Sequence, residues 1–353
     1  MHTGIAHLPL HYGETPRWLF DRMKSLAGQI ALWIVQEFGP AELLKKLSDP
    51  FWFQALGCAL GFDWHSSGLT TTTCGAVKEG IKEIGDLGIF AVGGKGATAR
   101  KAPDEIAEIA DAHSISGDAL IYASKLSAKV DNTALQDGYQ LYHHTFFFTK
   151  EGDWAVVQQG MNTVNRWARR YHWLSFDMLS FVEEPHKAIC SDHRSTCLNL
   201  IAKESRVVRD ASAELAKEGP DVLIREIEKA KVLSLPAHHQ LMAKDLKKEY
   251  LTRIFIKTYE KQPKSFEELL GISGVGPKTI RALSLISELV YGAKPSFSDP
   301  ARFSFAHGGK DGTPYRIERE HYDRSIEILK EAINKARLGN RDKMDAIRRL
   351  GRL

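Results

Sequence analysis

Between residues 127 and 172 the chain gathers side chains that can move protons, hold a cation or bind a phosphate. Lys129 and Asp131 are followed by Asp137, then His143-His144, Gln158-Gln159 and Arg169-Arg170-Tyr171-His172. Polar groups this dense among aromatic and β-branched neighbours are costly to bury without a use. Asp131 and Asp137 are of the type that holds Mg²⁺ or Mn²⁺, which orients a water and stabilises charge on a phosphodiester. Lys129 would add charge stabilisation, and His144 with Gln159 would complete a catalytic set. Arg170 carries a guanidinium suited to a phosphate, or it belongs to a solvated basic helix end.

Strand geometry limits how these groups cooperate. Gln140 to Gly160 reads as a hairpin, with Thr149 and Trp154 on either side of the four-residue loop Lys150-Glu151-Gly152-Asp153. Neighbours along a strand face opposite ways, whereas residues directly opposed on paired strands share a face. This loop length sets His144 opposite Gln159 and Thr145 opposite Gln158. One wall then carries His144 and Gln159, and the other His143, Thr145 and Gln158. A slip of one residue exchanges these pairs. Two aspartates before a hairpin resemble metal-dependent nucleases of the restriction-endonuclease type, whose next strand wants Glu-x-Lys. Val156-Val157-Gln158-Gln159 departs from that pattern. Either His144 or His172 helps hold the metal, or a histidine does acid–base work without one.

Two further segments have the chemistry of anion sites. Asp63-Trp64-His65-Ser66-Ser67-Gly68 runs into four threonines ahead of a helix expected from Gly75, so His65 and Ser66 would position a phosphate. Gly93-Gly94-Lys95-Gly96 follows an expected strand, where backbone N–H groups and Lys95 could cradle another. Neither matches a P-loop. His186, Cys190, His193 and Cys197 imitate a zinc site, but their mixed order and intervals lack paired Cys-x-x-Cys ligands.

Leu270 to Thr279 reads as the turn of a helix-hairpin-helix. Ser265-Phe266-Glu267-Glu268 forms a capping box, Gly274 and Gly276 allow a tight turn with positive φ, and Pro277 suits a first helical position. The second helix would aim its N-terminal amides at a nucleic-acid backbone with Lys278 adding charge, and Ile280, Leu283, Leu285 and Leu289 form its apolar stripe. Asp299 lies beyond it, as a catalytic aspartate does in helix-hairpin-helix glycosylases. Its interval from Lys278 is longer, and Asp299-Pro300 also reads as turn chemistry. Arg302, His307 and Gly308-Gly309-Lys310 could form a second phosphate-facing loop.

The remaining sequence must position these groups. Helices are expected over Pro16 to Phe38, Ala41 to Leu47, Pro103 to Ala112, Ser205 to Lys217 and Asp221 to Lys231. Lys244 to Lys261 leads into the hairpin module, and a basic helical tail runs from Glu318 to Leu350. Gly88 to Val92 reads as a strand, and the chain is expected to be helical from Asn162 onward. The fold class is α+β. Residues 1–203 form a mixed α/β catalytic domain with a hairpin-containing sheet, and 204–353 an all-helical domain. A length of 353 residues and 43% hydrophobic content suit two domains, and the net charge of +4 is only mildly basic. Four scattered cysteines argue against a secreted disulfide framework. No apolar run or signal peptide implies a membrane, so a cytoplasmic, nucleoid-associated protein is expected. A homo-oligomer is open.

As a whole the chain resembles the prokaryotic domain-of-unknown-function family seven-six-three. The resemblance lies in Asp49-Pro50-Phe51-Trp52-Phe53-Gln54, Asp63-Trp64-His65-Ser66-Ser67-Gly68, Gly93-Gly94-Lys95-Gly96 and Leu135-Gln136-Asp137-Gly138-Tyr139. It continues in Val156-Val157-Gln158-Gln159-Gly160, Arg169-Arg170-Tyr171-His172-Trp173 and Ser304 to Gly312. It implies a prokaryotic intracellular setting and no activity. The residues themselves point to a DNA-processing enzyme of repair or replication. A nuclease comes first, a glycosylase using Asp299 second and a non-enzymatic DNA-binding protein third.

Overall fold

Four helices begin the described chain: α1 (Arg17–Phe38), α2 (Pro40–Ser48), α3 (Pro50–Leu60) and α4 (Gly68–Ile84). The computed structural model describes residues 16–62, 67–164, 166–176, 178–191, 193–231, 247–301 and 319–350. Gly39 ends α1, and the fixed φ of Pro40 starts α2 at a first helical position. Asp49 caps α3 by accepting the Trp52 N–H at 2.8 Å. α3 is buried from Phe51 to Leu60, as expected of a helix apolar on all sides.

The central sheet has five antiparallel strands in the order β1-β3-β4-β5-β6. They are β1 (Ile89–Lys95), β3 (Gln140–Thr149), β4 (Trp154–Asn162), β5 (Trp167–Leu174) and β6 (Ala188–Cys190). Between β1 and β3 come α5 (Ala102–His113), α6 (Gly117–Lys129), a π-helical turn over Val130–Ala134 and β2 (Leu135–Gln136). β2 pairs with β7 (Leu198–Asn199). The expected helical stretch after Asn162 is therefore corrected. Arg169 to Trp173 lies inside β5, with its side chains buried alternately on both faces.

The hairpin register also differs from expectation by one residue. Phe148, not Thr149, pairs with Trp154, so His144 opposes Gln158 and His143 opposes Gln159. The cause lies in the turn. The Thr149 N–H donates to the Asp153 carbonyl at 2.9 Å, and Gly152 takes φ 93°. A type I turn followed by a left-handed glycine makes a bulge that uses one extra residue.

The remaining helices of the described residues are α7 (Arg206–Leu215), α8 (Pro220–Lys231), α9 (Lys248–Lys261), α10 (Phe266–Gly271), α11 (Pro277–Tyr291), α12 (Arg319–Lys335) and α13 (Asn340–Leu350). Two apolar cores result, and the sheet divides them. Phe146, Phe148, Val156, Tyr171 and Trp173 face a core shared with α6, α7, α9 and α11. Phe147, Ala155, Val157 and Leu174 face a core built from α1 to α4, which Leu329, Ala332 and Ile333 of α12 and Leu350 of α13 complete. The cores thus do not follow the expected division at residue 203, because the C-terminal helices return to the N-terminal layer. The α+β class stands.

Candidate functional site

Alternation along the three central strands splits the polar cluster between the two faces. On the face toward α6 and the C-terminal helices, Asp131 is fully buried in the π-helical turn. Its Oδ2 accepts Gln158 Nε2 at 2.6 Å and Trp173 Nε1 at 2.9 Å, and its Oδ1 lies 2.5 Å from His186 Nε2. Because Gln158 gives its amide N–H to Asp131, its Oε1 accepts from His144 Nδ1 at 2.9 Å. His144 Nε2 then accepts the Ser124 hydroxyl at 2.9 Å. Burial lowers the His144 pKa, so the relay from Ser124 to Asp131 carries a neutral imidazole.

A second cluster on the same face centres on Arg169. Its guanidinium reaches Asp137 at 2.8 Å and Asp299 at 2.7 Å, and it stacks 4.4 Å from the Tyr139 ring. Burial opposes the Arg169 charge, but Asp137, Tyr171 and Asp299 outweigh it and hold the group protonated. Asp137 also accepts the Tyr171 hydroxyl at 2.7 Å and the Tyr139 N–H at 3.1 Å. Asp299 accepts the N–H groups of Ser195 and Ala301. The two rival candidates for chemistry, Asp137 and Asp299, thus share one arginine.

Gln159, His143 and Arg170 lie on the opposite face. Gln159 donates to the Ser67 carbonyl at 2.9 Å and to Tyr142, and His143 bonds Thr145. His144 and Gln159 therefore do not share a wall, as the one-residue shift in register requires. Arg170 is fully buried against α3 and α4, with Gln54, Thr70, the Pro50 carbonyl and His172 as partners. Burial pushes its pKa down to about 10. Its expected part in phosphate binding is corrected to a role in joining the sheet to α3. His172 is occupied at both nitrogens, by Arg170 and the Leu47 carbonyl, on the side away from Asp131.

The expected metal set does not fit these surroundings. Asp131 receives three nitrogen donors and Asp137 an arginine, a hydroxyl and an amide, whereas a divalent cation needs open carboxylate oxygens. Among the described residues no group of three His, Cys, Asp or Glu side chains could hold a metal ion. Lys129 ends α6 half-buried, where burial lowers its pKa, and no hydrogen bond joins it to either aspartate. Lys95 is exposed at the end of β1. The Gly93 N–H beside it donates to Glu105 at 2.9 Å, and the Gly96 N–H donates to the Tyr142 carbonyl. Two of the amides expected in the phosphate cradle are thus taken by the protein's own acceptors. His65, Ser66, Arg302 and His307 lie outside the described residues.

The capping box before α10 and the Pro277 start of α11 are as expected, and the positive φ expected at both glycines is found at one. Ser265 Oγ accepts the Glu268 N–H at 3.2 Å while the Glu268 carboxylate accepts the Lys264 N–H at 2.8 Å. Gly274 takes φ 95°, whereas Gly276 is extended at φ −138°, so only the first needs left-handed freedom. The Tyr250 hydroxyl holds the Gly274 carbonyl at 3.0 Å. Ile280, Leu283 and Leu285 are buried.

Sequence reasoning gave no sign of where this turn docks. Gln136 donates to the Pro277 carbonyl at 3.1 Å and accepts from Arg281 at 3.2 Å. Two adjoining hollows of about 400 and about 490 Å³ share Pro277 and Arg281. Asp137, Gly138, Tyr139 and Thr196 line the first, and Lys247, Tyr250 and Lys278 line the second.

Fold and site together define an α+β protein whose sheet buries a charged network beside a basic groove. The chain belongs to the family described as protein of unknown function (DUF763), whose model matches residues 4–317. No curated protein and no solved structure matches it. Among the described residues no helix is long and apolar enough to cross a membrane.

Proposed function

We propose that this protein is a DNA-processing enzyme that holds the nucleic-acid backbone along the groove of Lys247, Tyr250, Lys278 and Arg281. In this reading it hydrolyses phosphodiester bonds beside that groove. The observation that carries the reading is the docking of α11 on Gln136, which sets Pro277 and Arg281, at the start of that helix, beside the Asp137 loop. A helix N-terminus with two or three cations can hold successive phosphates without reading bases. Tyr250 offers a ring on which an unpaired base can stack. Asp137 and Asp131 would act through the groups they orient and not as metal ligands. The glycosylase alternative gains nothing from Asp299, whose oxygens already meet Arg169 and two backbone amides.

The test uses labelled single-stranded, duplex and lesion-containing DNA with Mg²⁺, Mn²⁺ or EDTA. Binding that weakens steeply with salt, together with fragments from undamaged strands, supports the reading. Abasic products from lesion DNA alone replace it with a glycosylase. Binding without product leaves a DNA-binding protein, and absence of binding overturns the reading.

A further inference from the structure

We propose that His186, oriented by Asp131, is the catalytic base of this protein, acting on a phosphodiester seated in a cavity beside Asp299. The inference rests on the nucleic-acid reading above and names a residue and a second cavity that the reading does not require.

The cavity has a volume of about 370 Å³, and Glu184, Lys187, Arg194, Glu204 and Asp299 line it together with His186. It lies across the segment 194–199 from the groove. Thr196, Cys197 and Leu198 of that segment line the groove, while Arg194 and Asn199 line the cavity. Arg169 joins the two, because its partner Asp137 lines the groove and its partner Asp299 lines the cavity. A strand held in the groove therefore has a second hollow within the same structural unit.

His186 stands out within this lining. Its side chain is only 5% exposed, its Nε2 meets Asp131 at 2.5 Å, and its ring packs edge-on to Trp173 with centroids 4.5 Å apart. Its Nδ1 is buried without a hydrogen-bond partner. A buried polar atom left unpaired in a native structure calls for an explanation. Here the carboxylate holds one imidazole nitrogen, the indole packs against the ring, and the residue itself lines the cavity. That is how a carboxylate prepares a histidine for proton transfer. Gln158 and Trp173 saturate the other oxygen of Asp131, so the carboxylate cannot turn away from His186.

In the step that follows, a water oxygen attacks phosphorus while its proton passes to His186 Nδ1, and Asp131 stabilises the imidazolium. The bond from phosphorus to the leaving oxygen breaks, and that oxygen takes a proton from solvent. The imidazolium then returns its own proton to solvent. Lys187 and Arg194 supply positive charge near the phosphate, but Glu184 and Glu204 offset it across the cavity. Affinity for a strand must therefore come from the groove, and His186 should influence turnover far more than binding.

The experiment measures binding and cleavage of a labelled DNA strand by the full chain, by His186→Ala and by His186→Gln. Expected is cleavage lowered by about 10² to 10⁴ at DNA affinity within about threefold of the parent. Added imidazole should restore part of the rate to His186→Ala and none to His186→Gln, whose side chain fills the space. Retained affinity shows that each variant is folded, and an imidazole response cannot come from a purely structural role. Unchanged cleavage in either variant overturns the assignment, and so does a parent protein that binds DNA without cutting it. Absence of DNA binding by the parent instead overturns the groove reading on which the assignment rests.

Discussion

Three pairs of consecutive residues, His143-His144, Gln158-Gln159 and Arg169-Arg170, divide between the two faces of one sheet. Toward the C-terminal helices, His144 and Gln158 lead to Asp131, while Arg169 binds Asp137 and Asp299. Toward α3 and α4, His143, Gln159 and Arg170 meet Thr145, the Ser67 carbonyl, Gln54 and Thr70. The same residue types thus bind buried carboxylates on one side and fasten a helix layer on the other. What separates them is the chemistry of the partner, which neither composition nor local spacing reveals.

Arg169→Met should give the largest break in this comparison. It leaves Asp137 and Asp299 buried without their cation, a loss of about 3–5 kcal/mol. Urea unfolding would record it, and Arg169→Lys should recover only part because an ammonium cannot fork to two carboxylates. An unchanged midpoint in Arg169→Met would remove the arginine from its central place.

Acid should act next, on the histidines of both faces. Burial lowers the His144 and His172 pKa values and takes His143 from 6.5 to about 3. Below pH 6.5 the unfolded chain therefore binds more protons than the folded one. Stability is complete above that value and is lost as pH falls, for His143 by up to about 1.4 kcal/mol per pH unit until about 3, with His144 and His172 acting in the same direction. Unfolding midpoints from pH 7.5 to 4 should show this slope, and His143→Gln should reduce it by one histidine's share. A flat profile would mean that these rings are charged in the fold.

Arg170→Met should cost less than the Arg169 change, about 1–3 kcal/mol, because it leaves hydrogen-bonding acceptors unpaired and strands no carboxylate against it. DNA affinity should not change. A folded variant with weakened binding would restore the phosphate role to Arg170. The smallest effect on stability belongs to Lys278→Ala, within about 0.5 kcal/mol at a half-buried surface position. Its effect should appear as a salt dependence of DNA binding shallower by about one unit of slope. An unaltered slope would move the backbone contact elsewhere.

Legibility in the sequence followed how local the cause was. The α10–α11 turn was readable because Ser265, Glu268 and Pro277 act within a few residues of one another. The helix α1 followed from local apolar periodicity in the same way. β5 was not readable, since Arg169-Arg170 looks like a solvated helix end until Asp137, Asp299, Gln54 and Thr70 arrive from distant segments. His186 was missed for the same reason. Its partner Asp131 is 55 residues away in sequence, and the neighbouring cysteines suggested only a zinc pattern that did not fit. The docking of Pro277 and Arg281 on Gln136 spans more than 140 residues and leaves no local trace.

The turn at Gly152 works like the setting of a reading frame. It lies six residues from Gln158, about 20 Å along an extended strand, and touches none of the charged network. Yet the residue it adds decides the parity of everything downstream on β4. With one residue fewer in the bulge, Gln159 would stand where Gln158 now links His144 to Asp131. The carboxylate would then lose its relay without any change in the side chains available. Insertions and deletions at this distant loop should therefore be more disruptive than many substitutions beside the cavities.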